Sequence, residues 1–124
     1  MAIAPRDRIV VLIVEDEPLL RMSAVDMIED AGFATLEAAD AIEAIRLLET
    51  HPEIRIVFTD VDMPRGMNGI ELARAIRDRW PPVALIVTSG KFVPTDTTLP
   101  DGAVFFSKPI REAEVVSQMR LMAG

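Results

Sequence analysis

"IVFTDVDMP", residues 56–64, decides how the chain reads. Ile56, Val57 and Phe58 form a continuous apolar run, the pattern of a strand covered on both faces. The run passes through Thr59 into Asp60, with Asp62 two residues on and Met63-Pro64 closing the segment. A core strand here ends by delivering one carboxylate to a loop beside a second one. Such an arrangement is a strand, a turn and a candidate site at once.

Apolar runs of strand length alternate with segments of helical period on either side of this stretch. Upstream, Ile9 to Val14 is a second continuous run of branched residues. Pro18 suits the first turn of a helix, where its missing N–H costs nothing. Leu20, Ala24, Met27, Ile28 and Ala31 follow at helical spacing, with Gly32 as the C-terminal cap. Phe33 to Ala38 reads as a more polar strand, suited to a sheet edge. Asp40 and Glu43 form a capping-box pair ahead of Ala41, Ala44, Ile45 and Leu48, and His51-Pro52 ends that helix. The strand of the opening stretch spans Arg55 to Thr59.

Downstream, Asn68 and Glu71 repeat the capping pattern before Leu72, Ala73, Ile76 and Trp80. Val83 to Val87 is a fourth strand ending in Thr88-Ser89-Gly90, and Ala103 to Phe106 a fifth ending in Ser107-Lys108-Pro109. A last helix from about Glu112 places Val115, Val116, Met119 and Met122 on its inner face. Alternation of this kind predicts right-handed βαβ units and a parallel sheet with helices on both faces, a doubly wound α/β domain. The stretch 91–102 breaks the pattern. Two prolines and three threonines make it a poor helix former, so the fourth helix is expected to be short or replaced by a loop.

Composition limits the classes of function. A chain of 124 residues, half of them hydrophobic, fits one domain over 1–124 with one sizeable core. Without cysteine there is no disulfide framework and no thiolate metal site. No segment has the length of a signal sequence or a membrane span, which predicts a cytoplasmic protein off the membrane. The net charge of −7 argues against direct DNA binding, which needs a surplus of Lys and Arg. It leaves a basic protein partner open.

Ligands of open parallel sheets bind beyond the carboxyl ends of the strands, where the strand order reverses. The first strand ends in Glu15-Asp16-Glu17, the third in Asp60, the fourth in Thr88-Ser89 and the fifth in Lys108. Acids, hydroxyls and an amine thus gather on one edge. Three converging carboxylates repel one another unless a cation joins them, and an all-oxygen donor set suits Mg²⁺.

In this order and on these strands, Glu15-Asp16, Asp60-x-x-Met63-Pro64, Thr88 and Lys108-Pro109 resemble the receiver domain of two-component response regulators. The resemblance covers nearly the whole chain and implies a flavodoxin-like strand order, 2-1-3-4-5. It implies Asp60 as phosphoacceptor, and Asp16, Asp60 and the backbone carbonyl of Asp62 as Mg²⁺ ligands, with Glu15 acting on the metal through water. Thr88 and Lys108 would contact the phosphoryl group, and Phe105 would hold the aromatic switch position. A sensor histidine kinase or a histidine phosphotransfer protein would be the donor, and an unknown downstream protein the reader. Such a domain is a phosphoprotein that catalyses only its own phosphorylation and dephosphorylation.

The chain departs from the family pattern in its loop Arg65-Gly66-Met67-Asn68-Gly69, one residue longer than usual. It also carries Asp62 and Gly90, two residues after Asp60 and Thr88, on either side of the route for an attacking water. Two other readings stay open. Asp60-Val61-Asp62 fits the D-x-D of aspartate-based phosphohydrolases of the haloacid dehalogenase type, although two strands precede it and no cap has room. The other is a receiver-like binding module that takes no phosphate.

Overall fold

The computed structural model describes residues 8–64, 66–91 and 98–124. The elements run β1 (Val10–Val14), α1 (Pro18–Asp30), β2 (Ala34–Ala38), α2 (Ala41–Thr50), β3 (Ile54–Asp60), α3 (Gly69–Arg79), β4 (Ala84–Ser89), β5 (Val104–Ser107) and α4 (Glu112–Ala123). All strand pairs are parallel, and the sheet order is β2-β1-β3-β4-β5. β2 lies at an edge, as its polarity predicts.

Strand periodicity divides the core between two faces. Leu12, Val14, Val57, Leu85 and Val87 face α2 and α3, whose Ala44, Leu48, Leu72, Ala73 and Ile76 complete one cluster. Val11, Ile13, Ile56, Phe58 and Ile86 face α1 and α4, meeting Ala24, Met27, Ile28, Val115 and Met119 in the other. β1 carries no polar residue because both its faces are covered.

Two helix N-caps, Asn68 and Asp40, are residues read as caps from the sequence. Asn68 accepts from the amides of Ile70 and Glu71, and the Glu71 carboxylate accepts from the Asn68 amide, a complete capping box. Asp40 accepts from the Glu43 amide. At α1, Glu17 is the N-cap, accepting from the Leu20 amide. Gly32, at φ +99°, lets the chain leave α1 in the left-handed region.

Several expectations need correction. β4 runs to Ser89 rather than Val87, because Thr88 and Ser89 still pair with β5 and are buried. Leu20 does not join the covered face of α1; it is half exposed because α4 covers only the stripe from Ala24 onward. Val116 and Met122 lie at the margin of their cluster, with Val115 and Met119 inside it. Among the described residues no helix lies between β4 and β5, and residues 92–97 of that crossover lie outside them.

Two arginines of α3 hold the described part of this crossover. Arg77 donates to the carbonyls of Asp101, Pro81 and Val83 at 3.0, 2.7 and 2.8 Å, and Arg74 to that of Thr98 at 2.7 Å. A guanidinium fork can satisfy three carbonyls at once, whereas an ammonium cannot match that planar geometry. Arg77→Ala should therefore lower stability by about 2 kcal/mol, roughly 8 °C in thermal midpoint for a domain of this size. Arg77→Lys should recover less than half of that. A shift under about 2 °C in a calorimetric scan of Arg77→Ala would contradict the assignment. No described helix is long and apolar enough to cross a membrane.

Candidate functional site

The carboxyl ends of β1, β3, β4 and β5 meet at one edge of the sheet. β1 delivers Glu15, only 7% exposed, and β3 delivers Asp60, 4% exposed. Asp16, next to Glu15, is the exposed member of the group. One carboxylate oxygen from each of the three lies within 4.8 Å of the others. Lys108, just past β5 and joined to Pro109 by a cis peptide bond, reaches back across the sheet edge. Its Nζ stands 3.3 Å from Glu15 Oε1 and 3.4 Å from Asp60 Oδ2.

The two oxygens of Asp60 are in unequal positions. Oδ2 faces Lys108, whereas Oδ1 is buried with no hydrogen-bond partner among the described residues. An unpaired buried oxygen on an acid is expensive unless a ligand completes it. Glu15, Asp16 and Asp60 together offer three oxygen donors, a set that fits a hard divalent cation that keeps several waters, and so fits Mg²⁺.

Electrostatics at the site follow from burial first. Desolvation pushes the Asp60 carboxyl above its ordinary range, against the pull of Lys108 and of the Asp62 backbone amide. The Glu15 carboxyl is also raised, by burial and then by Asp60, although the Glu17 amide and Lys108 favour its charge. Burial alone would lower the Lys108 ammonium. Asp60 and Glu15 together outweigh it, so its proton is held more tightly than usual.

A carboxyl whose folded-state pKa is raised lends stability that is full below the unfolded value and lost as pH rises through the folded one. The metal-free protein should therefore lose stability to Asp60 and Glu15 as pH climbs from about 4. In Asp60→Asn part of that loss is removed. Thermal midpoints from pH 4 to 8 in a chelator should show the variant gaining on the wild type as pH rises. A constant difference would contradict these pKa directions.

Positions of the hydroxyls separate their roles. Thr88 is level with Asp60 in the β3–β4 register and shares its face of the sheet. It lines a cavity of about 510 Å³ with Glu15, Phe58, Lys108 and Ile110. Ser89 points to the opposite side and donates to Asp62 Oδ2 at 2.8 Å. Phe105 is level with Val87, on the face of the sheet opposite Thr88, and packs on the cluster facing α2 and α3. Asp62 lines the open cleft above Asp60 with Glu15, Asp16 and Lys91.

Three contributors escape sequence reasoning. Arg21 donates from Nη1 to the Glu15 carbonyl at 2.9 Å and pairs with Glu37 at 3.2 Å, holding the turn that carries both acids. Gly69 opens α3 against the end of β3, where a Cβ would collide with the carbonyl of Asp60. Its place right after the Asn68 cap is the only local signal. The third is the bond between Ser89 and Asp62, which spans 27 positions; sequence reading places both residues at this edge without pairing them.

Comparisons with known proteins bear on the family and the fold. A family model described as the response regulator receiver domain matches residues 11–120. The chain is 40% identical over 81 residues to the sensor kinase CckA of Brucella abortus, covering 64% of this chain and 8% of that protein. It is 32% identical over 115 residues to the transcriptional regulatory protein PdtaR of Mycobacterium tuberculosis, covering 90% of this chain and 55% of that one. The chain thus spans about half or less of the length of these curated relatives. Among solved structures, the receiver domain of the hybrid histidine kinase CckA superposes with a TM-score of 0.76 at 29% identity, over 93% of this chain and 99% of that one.

Proposed function

The chain belongs to the response regulator receiver domain family, and from that premise we propose that it takes a phosphoryl group onto Asp60 in the presence of Mg²⁺. The observation that carries the reading is the asymmetry of Asp60, which has two further carboxylates nearby: one oxygen faces Lys108, and the other is buried without a hydrogen-bond partner among the described residues. The donor is a phosphohistidine on a sensor kinase or phosphotransfer protein, and the output is a changed contact with another protein.

Glu15, Asp16, Asp60 and the backbone carbonyl of Asp62 would hold the metal, which supplies positive charge to a phosphoryl oxygen when bound. The chain's own groups do the rest. An Asp60 oxygen attacks phosphorus as the bond to the donor nitrogen breaks, and that nitrogen keeps the electron pair. Lys108, already between Glu15 and Asp60, neutralises a second phosphoryl oxygen without having to move far. Thr88, level with Asp60, donates its hydroxyl to a third. Transfer of this kind depends mostly on placement and charge.

Phosphorylation replaces one negative charge by about two and adds acceptor oxygens. Thr88 is drawn toward the new group, and Phe105 on the neighbouring strand turns toward the space left behind, reshaping the surface near β5. The test is incubation with phosphoramidate and Mg²⁺, followed by intact mass. One phosphoryl group gained, and only with Mg²⁺, supports the reading. No gain at any donor concentration would favour the phosphate-independent binding module, and steady release of phosphate the hydrolase.

A further inference from the structure

We propose that Arg21 makes the acid cluster prefer Mg²⁺ to Ca²⁺ by holding rigid the turn that carries Glu15 and Asp16. The inference rests on the metal reading above and adds a residue that sets which cation the site takes.

Mg²⁺ demands a near-ideal octahedron of oxygens at about 2.0–2.1 Å, whereas Ca²⁺ accepts about six to eight in looser geometry at about 2.3–2.6 Å. Discrimination between two ions of equal charge therefore depends on how far the ligands can move. Glu15 and Asp60 are buried at the ends of their strands. Asp16 is exposed, so packing does not fix it. Its place depends on the peptide that joins it to Glu15, because turning that peptide swings Asp16 relative to the two buried acids.

Arg21 holds that peptide. It is the fourth residue of α1, and helical side chains lean toward the N-terminus, so a long one here reaches back to the turn before the helix. Its Nη1 donates to the Glu15 carbonyl at 2.9 Å, and its Nε to Glu37 Oε1 at 3.2 Å. Glu37 lies on β2, level with Ile13 of β1, so the guanidinium is anchored to the sheet itself. The Glu15 amide donates to the Ala38 carbonyl at 3.0 Å, which fixes the other end of the residue. The Arg21–Glu37 pair is partly exposed and adds little stability by itself, so its geometry is its contribution. A planar guanidinium that bonds two acceptors in fixed directions resists rotation, and a single-point ammonium does not.

A positive charge beside a dication site costs Coulomb energy, and Glu37 offsets most of it. Whatever repulsion remains acts on Mg²⁺ and Ca²⁺ alike. It cancels in the ratio of their affinities, whereas the grip on the turn does not. Arg21 is a positioning residue that acts through the peptide between Glu15 and Asp16.

Calorimetric titration of Mg²⁺ and of Ca²⁺ into the same protein, at fixed pH and ionic strength, reads that ratio. Arg21→Ala should lose about tenfold in Mg²⁺ affinity, the scale of one hydrogen bond from a charged donor, and about twofold or less in Ca²⁺ affinity. Arg21→Lys, which keeps the charge, should lower the ratio by a smaller factor. Arg77→Ala, which loosens the crossover instead, should keep the wild-type ratio. Equal losses for the two ions in the Arg21 variants would mark a merely structural residue and overturn the proposal. Unchanged or tighter binding of both would do the same, as the sign of relieved repulsion alone, and so would an equal change of ratio in Arg77→Ala. A wild type that binds the two ions without preference would overturn the proposal and leave the metal reading standing. A wild type that binds neither would overturn the metal reading itself, so the failures are told apart.

Discussion

Asp60→Asn should take no phosphoryl group from phosphoramidate under conditions that add one to the wild type. The amide keeps the shape of the carboxylate, so its oxygen can still face Lys108 across the 3.4 Å gap. What it loses is the nucleophile: an amide oxygen carries no full charge and no free electron pair of comparable reactivity. The same change removes a charge that burial disfavours, since the Asp60 carboxyl already sits above its ordinary range. The inactive variant should therefore be the more stable protein when no metal is present, by a few degrees in thermal midpoint. Loss of function with gain of stability is a combination that general misfolding cannot imitate. If Asp60→Asn gained the phosphoryl group as the wild type does, the nucleophile would lie elsewhere and the site reading would fall.

Lys108→Ala should slow phosphoryl uptake about a hundredfold, the usual consequence of removing one preorganised charge from a transition state of this type. The ammonium stands within 3.4 Å of both Glu15 and Asp60, and the carboxylates bind its proton more tightly than usual. It therefore remains charged through the whole physiological range. Without it, two buried carboxylates face each other with no ammonium between them, and Oδ2 of Asp60 loses its charged neighbour. Stability without metal should drop, and added Mg²⁺ should restore more of it than in the wild type. Lys108→Arg keeps the charge on a longer, planar head and should recover only part of the rate. A loss of less than about tenfold in Lys108→Ala would show that the amine contributes little to transfer.

Much of this was legible in the residues. The strands are continuous apolar runs rich in branched side chains, and the helices show caps that the structure uses, Asn68 and Asp40 among them. The acids, the hydroxyls and Lys108 could be placed at strand ends because a buried strand must leave the core at a definable residue. Less legible was where burial stops. Thr88 and Ser89 are polar, so β4 appeared to end before them, yet both pair with β5 and are sealed by neighbours. Leu20 has the right spacing for the covered stripe of α1, but periodicity names a stripe without saying how far the neighbouring helix extends over it.

Chain order and chemistry alone determined that strands and helices alternate, that the sheet is parallel, and which groups stand at its carboxyl edge. Only the folded chain decided how those groups divide the work. Successive residues of a strand face opposite ways, and register with the neighbouring strand chooses between them. The pairing of Asp60 with Thr88 puts the threonine hydroxyl beside the acid and turns Ser89 to Asp62. Lys108 meets Glu15 across 93 positions for the same reason: the sheet brings distant strand ends within reach, and no local pattern records which ends those are.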